Sequence, residues 1–130
     1  MIADTSFIID IMAKDPAAIR KARALEDIGL SIVIGTPTVF ELFAGVALSR
    51  KPEEEKSKII TTLLSISQLS MDSPSASAGG LIYGEKMRTG RTIDPEDAMI
   101  AGIAKVNTEK ILTRNTKHFS DIEGVIIENY

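Results

Sequence analysis

The sequence contains no cysteine and no tryptophan, and only one histidine, two tyrosines and four phenylalanines in 130 residues. Without cysteine there is no disulfide framework, no thiolate nucleophile and no Cys-ligated zinc, so any metal chemistry must use oxygen ligands or His118. The few aromatic side chains supply no ladder on which successive bases of a single strand could stack. A basic excess is missing too. Fifteen Lys and Arg stand against eighteen Asp and Glu, a formal net charge of -3, so a nucleic-acid partner would have to be gripped locally. No apolar run approaches the ~20 residues that cross a bilayer. The apolar start at Met1 carries neither the basic stretch nor the cleavage signature of a secretory leader. These absences lead us to expect a cytoplasmic protein with no membrane partner.

What is present is 44% apolar content, enough for one domain spanning residues 1–130, with no repeat or linker to divide it. Five prolines punctuate the chain, each where a helix can begin without needing a backbone N–H. Asp15-Pro16, Thr36-Pro37, Ser73-Pro74 and Asp94-Pro95 pair a capping side chain with the proline, and Lys51-Pro52 lacks one. Helices are therefore predicted at 16–28, 37–49, 52–66, 74–89 and 95–107, with a shorter one at 6–13. Between them lie short β-rich runs, Met1–Asp4, Ser31–Gly35, Gln68–Met71, Lys110–Thr113 and Val125–Glu128, of the length of buried parallel strands. Strands alternating with helices imply an α/β fold with a parallel sheet covered on both faces. In such folds the working crevice lies beyond the carboxyl ends of the strands.

Four places at that edge carry candidate chemistry. Asp4, in MIADTSFIID, is either a metal ligand or, with Thr5, the cap of the next helix. Glu41 is the only charged side chain from Ser31 to Ser49. A carboxylate in such surroundings is costly to bury unless paired or bound to a cation, and the alternative is a narrow solvated stripe on its helix. Asp97, in IDPEDAMIAGIA, is either a ligand or the acidic partner of Asp94 in a capping box. The segment after ILT offers the Asn115 carbonyl, the Thr113 and Thr116 hydroxyls, and positive charge on Arg114 and Lys117 for a phosphate. A turn with solvated basic residues explains that segment equally well. His118, between Lys and Phe, reads as a surface or packing residue. Gly79-Gly80 fits neither phosphate-binding glycine pattern and reads as close helix packing. Lys86, Arg88 and Arg91 suit the C-terminal end of a helix. Ala44, Gly45 and Ala47 would let a helix approach either a partner or the sheet.

Taken together, three carboxylates brought to one crevice would suit a hard divalent cation, Mg²⁺ or Mn²⁺, acting in phosphoryl chemistry. The segments MIADTSFIID, TPTVFELFAG, IDPEDAMIAGIA and ILTRNTKHF, in this order, resemble the PIN-domain family, and within it the VapC-type toxin ribonucleases of toxin–antitoxin pairs. The resemblance covers essentially the whole chain. It implies a three-layer α/β/α sandwich with a five-stranded parallel sheet, Mg²⁺- or Mn²⁺-dependent endoribonuclease activity on RNA, a homodimer, and a small antitoxin that plugs the active site. Asp4, Glu41 and Asp97 fall on the family's first three acidic positions, and Asn115 stands where the fullest form of the pattern has a fourth acid. The expected site thus has Asp4 and Asp97 holding the metal, Glu41 orienting ligands or water, Asn115 with Thr5 or Ser6 completing the shell, and Arg114 or Lys117 on the scissile phosphate. Asp94 is a candidate outer carboxylate.

Two other readings compete. A PIN-like module that binds RNA or protein without cutting is suggested by Asn115. A receiver-type phosphorylation domain would use Asp72, but the adjacent acidic pair such a domain needs after its first strand is missing.

Overall fold

In the computed structural model, which describes residues 1–130, Ile2–Ala3 form β1, and the alternation of a strand sends these two fully buried side chains into different cores. The rest of the chain follows in strict order: α1 (Thr5–Met12), α2 (Pro16–Asp27), β2 (Val33–Gly35), α3 (Thr36–Val46), α4 (Pro52–Leu63), β3 (Ser67–Leu69), α5 (Ser73–Arg88), α6 (Pro95–Val106), β4 (Ile111–Leu112) and β5 (Ile127–Glu128). All strand pairs are parallel, in the order β3-β2-β1-β4-β5. Strand order therefore reverses between β1 and β4, with Ile2 beside Ile111 and Ala3 beside Leu112. On one face Ile2 and Ile111 join Ile82 of α5 and Ile100 and Ile103 of α6. On the other, Ala3 and Leu112 join Phe7 and Ile8 of α1, Leu25 of α2, Leu42 of α3 and Ile59 of α4. This is the three-layer sandwich with a five-stranded parallel sheet that the sequence implies.

The five prolines each sit at the first or second helical position, as expected. Two caps differ from expectation by one residue. Gly35 rather than Thr36 caps α3, and the Thr36 hydroxyl instead accepts from the Met71 backbone N–H at 3.0 Å. Asp72 rather than Ser73 caps α5, accepting from the Ser75 N–H at 3.0 Å, a task that also accounts for Asp72 without a phospho-acceptor role. Asp15 caps α2 as predicted, bonding the N–H groups of Ala17 and Ala18.

The glycine pair divides its duties. A Cβ on Gly79 would stand 2.9 Å from the Ala98 carbonyl, and one on Gly102 would stand 2.4 Å from that of Ser75, so α5 and α6 touch backbone to backbone there. Gly80 faces open space. The basic residues at the end of α5 are bound within the chain: Lys86 to the Ser120 carbonyl, Arg88 to Glu85 and Arg91 to Asp121. Ala44, Gly45 and Ala47 are exposed, which removes the sheet-packing alternative for them. Phe40, 67% exposed, and Leu48, 89% exposed, lie on the same segment. No helix is long and apolar enough to cross a membrane.

Candidate active site

Asp4 follows β1, and Thr113 follows the neighbouring β4, so the two stand side by side at the carboxyl edge of the sheet. The register is held by the Asp4 N–H donating to the Leu112 carbonyl at 2.9 Å. Asp4 occupies the cap position of α1 but caps nothing with its side chain. Its Oδ2 instead accepts from the Ser6 hydroxyl at 2.9 Å and from the Thr113 hydroxyl at 2.8 Å. Both hydroxyls offset the cost of burying the charge, since Asp4 is only 4% exposed. Oδ1 accepts no hydrogen bond from the protein.

Asp97 enters from α6, where it is buried on the helix's first turn. The alternative reading, a capping box with Asp94, does not form, because the Asp94 side chain makes no cap bond. Asp97 Oδ2 instead lies 3.0 Å from His118 Nδ1, and its Oδ1 has no protein donor. Burial, and after it the nearby charge of Asp4, pushes the Asp97 carboxyl up to about 6, with the His118 contact opposing.

Glu41 comes from the second turn of α3, half-buried rather than on a solvated stripe. The Thr5 hydroxyl donates to its Oε1 at 2.8 Å, and the fully buried Thr38 hydroxyl lies 3.1 Å from that of Thr5. Burial raises the Glu41 pKa, the Thr5 bond lowers it, and the charges of Asp4 and Asp97 raise it further. The three carboxylates named from sequence are therefore electrostatic neighbours, although they come from three different segments.

The chemistry of this donor set suits a divalent cation. Every group is a hard oxygen, each carboxylate keeps one oxygen free of protein donors, and the charge of Asp4 raises the pKa of both Asp97 and Glu41. No three Asp, Glu or His side chains form a ready-made cage. An ion of the Mg²⁺ class, which keeps several waters and takes one or two carboxylates, matches that arrangement better than one needing a full protein shell.

The segment after β4 reaches two of these acids, Asp4 through Thr113 and Asp97 through His118. The Asn115 N–H donates to the Thr113 hydroxyl oxygen at 2.9 Å, and Thr116–His118 form a single 3₁₀ turn anchored by buried Phe119. Lys117 and His118 share a pocket of about 170 Å³ with Thr92, Ile93, Asp94 and Asp97. Arg114, expected with Lys117 as a candidate for the phosphate, is paired within the chain. Its guanidinium is 2.9 Å from Asp10 and 3.4 Å from Asp15, and it lies over the Tyr130 ring at 5.2 Å. The Tyr130 hydroxyl in turn donates to Asp10 at 2.6 Å; burial and that bond push its phenol up to about 12. Thr5 and Ser6, expected to complete the shell, spend their protons on Glu41 and Asp4. Sequence reasoning passed over His118 and Thr38. Only the position of His118, three residues after Asn115 at a strand exit, carried any signal.

A PIN domain matches residues 1–125. The chain is 32% identical over 127 residues to the tRNA(fMet)-specific endonuclease VapC of Shigella flexneri, covering 98% of this chain and 95% of that one. Among solved structures it resembles VapBC2 from Rickettsia felis bound to a DNA fragment from their promoter, with TM-score 0.89, 25% identity and coverage of 99% and 97%. It also resembles DNA-bound VapBC from Salmonella typhimurium, with TM-score 0.87, 29% identity and coverage of 98% and 96%.

Proposed function

The chain belongs to the PIN-domain family, and from that premise we propose that it is a VapC-type endoribonuclease whose site is built by Asp4, Glu41, Asp97 and Asn115. The observation that carries this reading is the convergence of Asp4, Glu41 and Asp97, each with one oxygen held by a protein donor and the other free. The alternative of a non-catalytic module rested on Asn115, and the nuclease names of the relatives speak against it.

In this reading Asp4 and Asp97 are the groups that hold a divalent cation, Mg²⁺ or Mn²⁺, and Glu41 orients water toward the scissile phosphate. When bound, the cation supplies positive charge at the phosphodiester and makes water a better nucleophile. The chain's own residues do the rest. The Ser6 and Thr113 hydroxyls fix Asp4, Thr5 fixes Glu41, and Asn115 brings a neutral carbonyl oxygen to the fourth position. Lys117, exposed beside Asp97, replaces Arg114 as the cation that steadies the substrate, since Arg114 is already paired. With a net charge of -3 the protein grips RNA only through such local contacts.

The solved relatives are toxin–antitoxin complexes, which supports a small antitoxin as partner. A homodimer is proposed through the exposed surface of α3 and the turn after it, around Phe40, Ala44 and Leu48, where small and apolar side chains meet solvent. Leu48→Asp should yield a monomer by light scattering if that face is the interface. The RNase reading is tested by incubating the protein with tRNA(fMet), the substrate in the Shigella relative's name, and a panel of other RNAs, in Mn²⁺, Mg²⁺ or EDTA. Cleavage lost in EDTA and in Asp4→Asn supports it. Cleavage of no RNA, with no Mn²⁺ binding by calorimetry, overturns it.

A further inference from the structure

We propose that His118 is a positioning residue of this site, holding Asp97 through its Nδ1 so that the other carboxylate oxygen is the one presented to the crevice. The inference rests on the nuclease reading above and assigns a role to a side chain outside the acidic set.

When Asp97 is ionised it only accepts, so the proton shared over the 3.0 Å contact is carried by Nδ1. Oδ2 is then occupied, and rotation of the carboxylate is restrained. The same device recurs at the other two carboxylates, with Thr113 and Ser6 on Asp4 and Thr5 on Glu41. His118 is thus the third member of a set in which each acid has one oxygen held by a protein group. Such outer contacts set the aim of ligating groups, and losing one typically costs about 10–100-fold in metal affinity or activity.

The backbone explains how the imidazole is delivered. The His118 N–H donates to the Asn115 carbonyl at 3.0 Å, closing a 3₁₀ turn, and Phe119 plugs the core immediately after it. At the other end of the same segment, Thr113 holds Asp4 and receives the Asn115 N–H. Residues 113–118 therefore form a strap with Asp4 tied to one end and Asp97 to the other, and the strap fixes the two acids relative to each other. A role in folding alone does not account for His118, whose side chain is 50% exposed and whose contact with Asp97 lies at the rim of an open pocket. Exposed pairs of that kind contribute little stability.

The test compares wild type with His118→Ala, His118→Asn and His118→Gln, reading Mn²⁺ affinity by calorimetry, RNA cleavage across a Mn²⁺ titration, and melting temperature. The Asn amide nitrogen sits near the place of Nδ1, whereas Gln reaches toward that of Nε2. The expected result is Mn²⁺ binding weakened roughly 10–100-fold in the Ala variant, with an unchanged melting temperature, and recovery in Asn but not in Gln. Wild-type affinity in the Ala variant, or recovery by Gln in preference to Asn, overturns the positioning role while leaving the nuclease reading intact. A wild-type protein that neither binds Mn²⁺ nor cuts RNA overturns both.

Discussion

The Thr113 hydroxyl donates to Asp4 Oδ2 at 2.8 Å across the junction of β1 and β4, with both residues buried. This bond lies at the one place where strand order reverses, which is where a doubly wound sheet opens a crevice. It makes the Asp4 carboxylate part of the sheet edge rather than a free side chain.

Replacing Thr113 by Val keeps the volume and removes the hydroxyl. Asp4 loses one of two donors, and the Asn115 N–H loses its acceptor. The expected cost is about 1–3 kcal/mol of stability in urea unfolding, with reduced RNA cleavage, and Thr113→Ser should restore both. Equal stability of the Val variant and wild type would contradict the bond.

Asp4→Asn and Glu41→Gln each keep the local hydrogen-bonding shape while removing charge. Cleavage should fall by at least about 100-fold in either, and the circular dichroism spectrum should remain that of wild type. Full activity in the Asp4 variant would remove the site assignment.

Asp97 couples the site to stability through pH. Burial, reinforced by Asp4, raises its pKa from 3.8 to about 6 in the folded protein. Between those values the folded chain keeps a proton that the unfolded chain releases, so the stability of the metal-free protein falls as pH rises from about 4 to about 6 and stays lower above. In EDTA, Asp97→Asn should therefore melt higher than wild type at pH 7.5, with a smaller difference at pH 4. Mn²⁺ should raise the melting temperature of wild type and not that of the variant.

Two glycines of the α5–α6 pair should respond with opposite signs. Gly102→Ala drives a Cβ to 2.4 Å from the Ser75 carbonyl and 2.5 Å from the Gly79 nitrogen, both backbone atoms that cannot swing away. Thermal and urea denaturation should show a loss of about 1–3 kcal/mol or more. Gly80→Ala, in the exposed interior of α5 with nothing within 4 Å, should stabilise by about 0.5–1 kcal/mol.

Much of the architecture was legible because its signals are local. A proline at a helix start acts through its own ring and missing N–H, so all five marked helix entries wherever the chain later packed. Short β-rich runs marked the strands to within a residue or two, and the third began at Ser67 rather than Gln68. Caps were less secure, since Gly35 and Asp72 displaced Thr36 and Ser73 by one position once Thr36 found Met71 across the sheet. The candidate acids could be named because a lone carboxylate in apolar sequence is conspicuous on its own.

The sequence by itself determined the alternation of strand and helix, the helix starts and the identity of the three acids, because each is written within a few neighbouring residues. Only the tertiary structure decided which oxygen of each acid is held and by whom. Thr113 reaches Asp4, His118 reaches Asp97, Thr5 reaches Glu41, and Arg114 turns to Asp10 and Asp15 instead of to the crevice. Hydrogen-bond partners are chosen by spatial register between strands and loops distant in the chain, and hydrophobic periodicity carries no record of that register.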